Sequence, residues 1–216
     1  MMKLPLISFL SCLLALSNHV SALGHTSKPA SFINGENSSK NEKPPFRDFI
    51  QMARWLVHNV DWGVVSTWSV HAQGIPFGAV EAISDGGTLN ATGRVLLYLA
   101  KGQSRLTADI AANPAASITI SEAQMEGHCS KMSAEWPLCA KLTIVGELLE
   151  VPGAEQETAK KLIFDRFPVM EEWSKSHSFI PYELQIQYME LIDFFGGAHV
   201  ILPKDYFAID ATSWQS

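Results

Sequence analysis

Residues 62–84 read WGVVSTWSVHAQGIPFGAVEAIS, and this stretch decides the fold. Trp62–Ser69 and Phe77–Ser84 are short runs rich in Val, Ile, Thr and aromatic residues, separated by a polar segment that Gly74 punctuates. The same kind of run recurs at Arg94–Leu99, Ser117–Ser121, Leu142–Val151, Tyr182–Phe194 and His199–Leu202, with breaks at Gly86-Gly87, Gly102, Asn113-Pro114 and Gly196-Gly197. Helical spacing interrupts the runs three times. Phe46, Phe49, Ala53, Leu56 and Val60 mark an amphipathic helix with a proline in its first turn. Residues 104–112 form a short helix capped by Ser104, and residues 154–167 a third with Glu early and Lys/Arg late. The expected fold is mostly β with flanking α: six to seven antiparallel strands closing into a barrel, which hides strand edges.

The domain so defined covers residues 46–216. Residues 1–22 read as a secretory signal peptide: Lys3, a 13-residue apolar run from Leu4 to Leu16, then Val20-Ser21-Ala22. That run is too short to cross a bilayer, which takes about 20 residues, and no later segment offers a membrane span. Residues 23–45 are polar and expected to be a flexible tail. Export predicts a disulfide between Cys129 and Cys139, the two cysteines left after cleavage, and N-glycosylation at the sequons of Asn37 and Asn90.

The chain has 216 residues and a formal net charge of −6, which becomes −7 once Lys3 is removed. That balance argues against a nucleic-acid partner, which requires excess Lys/Arg against phosphate. No zinc-type spacing joins His128, Cys129 and Cys139, so no metal is expected. There is no Gly-x-Ser-x-Gly elbow, and His58, His71 and His177 read as helix-end, loop or core residues before they read as acids or bases. One segment suggests anion chemistry. A strand runs into Ser104-Arg105 at a helix start, with Lys101 nearby, so a hydroxyl, a guanidinium and free backbone N–H groups share one corner.

Residues 46–207 resemble the CREG family of secreted glycoproteins. The matching stretches are Ala53-Arg54 with Asp61-Trp62-Gly63, Gly74-Ile75-Pro76-Phe77 leading into Ser84-Asp85-Gly86, Tyr98-Leu99, Asn113-Pro114-Ala115, Cys129 with Pro137-Leu138-Cys139, and Asp193-Phe194-Phe195-Gly196-Gly197. The resemblance implies an FMN-binding-like split β-barrel, related to pyridoxamine-phosphate oxidase and assembled as a homodimer. It also implies a protein without catalytic activity that regulates growth and differentiation. It further implies extracellular and endolysosomal locations and uptake by a mannose-6-phosphate receptor or another cell-surface receptor. Trp55, Trp62, Trp68, Phe194 and Phe195 are aromatics available to a dimer face.

In flavin-binding relatives, a basic residue on the second barrel strand and a Ser/Thr-Arg/Lys pair after the third clamp the cofactor phosphate. Ser104-Arg105 matches the second element, but Pro76–Ala82 carries Glu81 and no Lys or Arg. The expectation is therefore no bound cofactor and a vestigial seat at Lys101, Ser104 and Arg105, with the cross-linked loop 129–139 as a candidate cover. The alternative is an FMN-dependent oxidoreductase or a haem-handling enzyme that kept the pocket. A nuclear repressor acting on DNA conflicts with the signal peptide and the acidic charge.

Overall fold

A computed structural model describes residues 43–87, 90–129, 133–175 and 177–209. The signal peptide, most of the polar tail and Asn37 lie outside the described residues. Seven strands form one antiparallel sheet: β1 (Trp62–Trp68), β2 (Pro76–Ala82), β3 (Leu96–Ala100), β4 (Ala115–Ser121), β5 (Lys141–Glu150), β6 (Phe179–Ile192) and β7 (His199–Ile201). The order is β2-β1-β4-β5-β6-β3, with β7 added to the end of β6 that β3 leaves free. The two ends of this order meet at a single bridge, Ser84↔Leu96. The architecture is the split barrel implied by the resemblance, and its closure is narrower than a fully closed barrel. β2 stops at Ala82, and the chain turns away through Asp85-Gly86-Gly87, so the two edges run together only at that pair.

The first helix, α1 (Phe49–Asn59), is the plug of the barrel. Met52 to His58 are all buried, so Trp55 and Leu56 pack with Val65, Ile118, Ile144 and Leu184 of the inner sheet face. Trp55 therefore belongs to the core and to no dimer face. β3 is apolar along both faces (LLYL) because it is covered twice. Leu97 and Leu99 enter the main core, while Leu96 and Tyr98 lie under Ala159, Leu162 and Ile163 of α3 (Gln156–Arg166). The remaining helices are α2 (Arg105–Ala112) and α4 (Pro203–Tyr206), and Pro168–Lys175 adds a 3-10 segment that periodicity did not signal.

Two boundaries differ from expectation. At the N-terminal end of the described residues the Lys43 ammonium lies 2.6 Å from Glu122 and Pro44 is buried, so these last residues of the polar stretch are docked on the barrel. The prolines also stand outside the first helical turn. Arg47 adopts φ +71°, its N–H donating to Asp193 (2.9 Å) and its guanidinium lying over Phe194, and α1 starts only at Phe49.

Candidate functional site

The corner between β3 and α2 holds all three residues singled out for a phosphate. Ser104 is the N-cap of α2: its hydroxyl accepts from Thr107 N–H at 3.1 Å, and the Thr107 hydroxyl accepts from Ser104 N–H at 3.2 Å. The serine hydroxyl and one free amide are thus committed to the helix itself. The Lys101 ammonium is 2.7 Å from Glu150, both exposed, so its charge is already met. Arg105 is exposed and forms no ion pair among the described residues. On β2, the strand whose end meets β3 at the closure, stands the carboxyl of Glu81 and no cation, and burial raises the pKa of that carboxyl above its ordinary value. A desolvated phosphate needs several charge-assisted donors, and this corner supplies one uncommitted guanidinium. The residues present do not fit the phosphate of a flavin.

The disulfide Cys129–Cys139 is present, with Cα atoms 5.5 Å apart. Beside it, Glu122 is buried at the end of β4 and is the acceptor for Lys43 (2.6 and 2.7 Å), Ala140 N–H (2.9 Å) and His128 Nδ1 (3.2 Å). Burial pushes this carboxyl up, yet Lys43, the Ala140 amide and His128 together outweigh burial and hold it below the ordinary carboxylate value. Lys141 Nζ donates to the carbonyls of Ala134, Glu135 and Trp136, and Trp136 meets Phe195 edge-on at 5.9 Å. This loop sits where β5 begins and β6 ends, whereas Lys101 follows the strand paired with the start of the 14-residue β6. Within one chain the described part of the loop therefore stands at the other end of β6 from the Lys101–Ser104–Arg105 corner.

A third constellation was missed by motif reading. Arg54, buried on α1, donates to Ala91 O (2.9 Å) and Thr92 O (3.0 Å) and lies over the ring of Tyr206. One turn later His58 Nδ1 is 2.9 Å from Asp85, whose other oxygen accepts from Gly93 N–H, and Tyr206 O–H donates to Gly93 O (3.0 Å). Arg166 reaches the carbonyls of His58 and Val60 and lies 3.7 Å from Asp85. The network pins the segment Ala91–Gly93 and leaves Asn90 exposed just before it. Arg54 and His58, four residues apart on an apolar helix, were its sequence signal, since buried charges require partners. His58 is thus a structural core histidine. His71 and His177 are exposed.

The outer face of β1 and β2 is apolar and open. Trp62↔Ala82, Val64↔Val80 and Trp68↔Pro76 are cross-strand pairs on this face, with Val80 67% and Trp68 52% exposed. Beside them lies a cleft of about 340 Å³ lined by Ser66, Trp68, Pro76, Ser117, Val145 and Gln187. The pairing of β5 with β6 skips Gln187, a bulge that bends the sheet here.

Comparison with known proteins places these features in context. The family profile described as "CREG, beta-barrel" matches residues 44–208. Protein CREG1 of Gallus gallus is 34% identical over 172 residues, 77% of this chain and 88% of that protein. Protein CREG2 of Mus musculus is 35% identical over 176 residues, 80% of this chain but only 60% of that longer protein. A heme binding protein from Mycobacterium smegmatis superposes with a TM-score of 0.60 at 17% identity, over 81% of this chain and 62% of its own. At that identity the likeness is one of fold.

Proposed function

The chain belongs to the CREG β-barrel family, and from that premise we propose that it is an exported, N-glycosylated homodimer without a catalytic centre, regulating cell growth and differentiation by binding receptors. The observation that carries the reading is the commitment of the phosphate corner to other work: Ser104 caps α2, Lys101 pairs with Glu150, and β2 offers a carboxyl in place of a cation. The apolar outer face of β1 and β2 supports the dimer, because an exposed aromatic patch next to a cleft is the kind of surface a second copy covers. The exposed Asn90, on a pinned segment, supports a glycan as the handle for a mannose-6-phosphate receptor or another cell-surface receptor, with extracellular and endolysosomal sites of action. Asn37 is the second attachment point proposed.

An FMN-dependent oxidoreductase or a haem-handling enzyme is the other reading, favoured by Arg105, the uncommitted cation, and by the fold shared with a heme binding protein. The test is the secreted full-length chain: light scattering, glycan mapping, and titration with FMN and hemin. Dimeric mass, glycan at Asn90, a monomeric Val80→Asp variant and no saturable spectral change are expected. Stoichiometric FMN or hemin binding lost on Arg105→Ala overturns the non-catalytic reading, and a monomeric wild type overturns the dimer.

A further inference from the structure

One oxygen of Glu122 and the sulfurs of Cys129 and Cys139 all lie within 4.8 Å of one another. His128 precedes Cys129, and its Nδ1 is 3.2 Å from Glu122 Oε1. We propose that, when the Cys129–Cys139 disulfide is reduced, Cys129, Cys139, His128 and Glu122 form a four-ligand site for zinc or a similar thiolate-seeking divalent metal, so that the bridge and the metal are mutually exclusive occupants of one place.

The donors are already gathered in one place. Ligands of a tetrahedral zinc at bond lengths of about 2.0–2.3 Å stand roughly 3.5 Å apart, and the three donor atoms lie within 4.8 Å of one another, so the two sulfurs have only to part once their bond is reduced. Glu122 is fixed through Oε2 by the Ala140 amide (2.9 Å) and Lys43 (2.6 Å), while Oε1, which also accepts from Lys43, can exchange its contact with His128 for one with the metal. Charge also balances. Two thiolates and a carboxylate around a dication leave one net negative charge, and the Lys43 ammonium, 2.7 Å from Glu122 Oε1, supplies the compensating positive one. An outer partner of this kind orients the carboxylate and strengthens the site.

The chemistry is balanced by a thiol reductant. Two RSH give two electrons and two protons to the S–S bond, leaving two cysteine thiols and RSSR. Binding of the metal then expels both thiol protons, and the imidazole coordinates through Nδ1 while keeping its proton on Nε2. Exchange with a disulfide RSSR, which takes two electrons from the thiolates and two protons from solvent to leave two RSH, reforms the bridge and ejects the metal.

The experiment uses the full secreted chain, reduced with a phosphine and titrated with Co²⁺, whose thiolate complexes absorb by charge transfer. The reduced protein is expected to bind one Co²⁺ per chain with thiolate charge-transfer and intense tetrahedral bands, displaced by Zn²⁺, while the oxidised protein shows neither. His128→Ala, at a half-exposed position, should keep the fold and weaken the metal at least about 100-fold, since even outer-shell partners are worth about 10–100-fold. Cys139→Ser should abolish the bands. The proposal is overturned if the reduced chain shows no charge-transfer band, if it loses its near-ultraviolet circular dichroism before metal is added, or if His128→Ala binds like wild type.

Discussion

Replacing Gly93 by alanine should separate two costs that usually occur together. Gly93 sits at φ +76°, and a Cβ there would fall inside the Arg54 guanidinium and 3.1 Å from the Tyr206 ring. The left-handed backbone alone costs an alanine about 1–2 kcal/mol. The guanidinium must also leave Ala91 O and Thr92 O, and a buried cation deprived of its acceptors costs roughly 3–5 kcal/mol more. Gly74 is the control, with φ +85° and nothing within 4 Å of its added Cβ, so it reports the backbone cost alone. Urea unfolding followed by tryptophan fluorescence should place Gly93→Ala about 3–5 kcal/mol below Gly74→Ala, a gap of roughly 6–20 °C in Tm at about 2–4 °C per kcal/mol. In an Arg54→Met background the gap should shrink, because the clash partner is gone. If Gly93→Ala and Gly74→Ala unfold within about 1 kcal/mol of each other, in the range of ordinary surface substitutions, the buried network does not anchor the segment before β3.

Two pH experiments follow from the same accounting. Glu122 is held below its ordinary value, so its contribution is present above the unfolded pKa and is lost as pH falls through the folded one; wild type should lose more stability than Glu122→Gln between neutrality and about pH 3, and equal losses in urea midpoints would refute it. The Tyr182 hydroxyl is pushed up to about 12, first by burial and then by Glu150, and burial carries that of Tyr206 higher still. Both therefore stabilise the fold fully below about pH 10 and cease to do so only as pH rises through the folded values. In alkaline titration of the folded chain Tyr182 and Tyr206 should ionise only above about pH 10, so Tyr182→Phe should remove amplitude from the late part of the curve and none from below that pH.

The strands and the three longer helices were legible because period-2 and period-3.6 patterns report burial directly, and Ser104 as a cap follows from hydroxyl chemistry at a helix start. The docking of Lys43 and Pro44 was not legible, because Glu122, the partner of Lys43, is 79 residues away and composition marks the stretch as polar. For the same reason the phosphate corner could be named but not judged: Lys101 looks like a free cation until β6 sets β3 on one side and the end of β5, which carries Glu150, on the other. The placement of the cross-linked loop likewise depends on which end of β6 meets β5, a matter of register that local residues do not encode.

The one-pair closure between Ser84 and Leu96 gives the molecule a line along which to come apart. Two backbone hydrogen bonds of 2.9 Å join the edges there, and the Ser84 hydroxyl donates to Leu162 O of α3 at 3.0 Å, so a helix acts as the clasp. Loosening α3 would unlatch the cylinder without unravelling any full ladder, and breathing would begin at this hem, where amide exchange at Leu96 would time it.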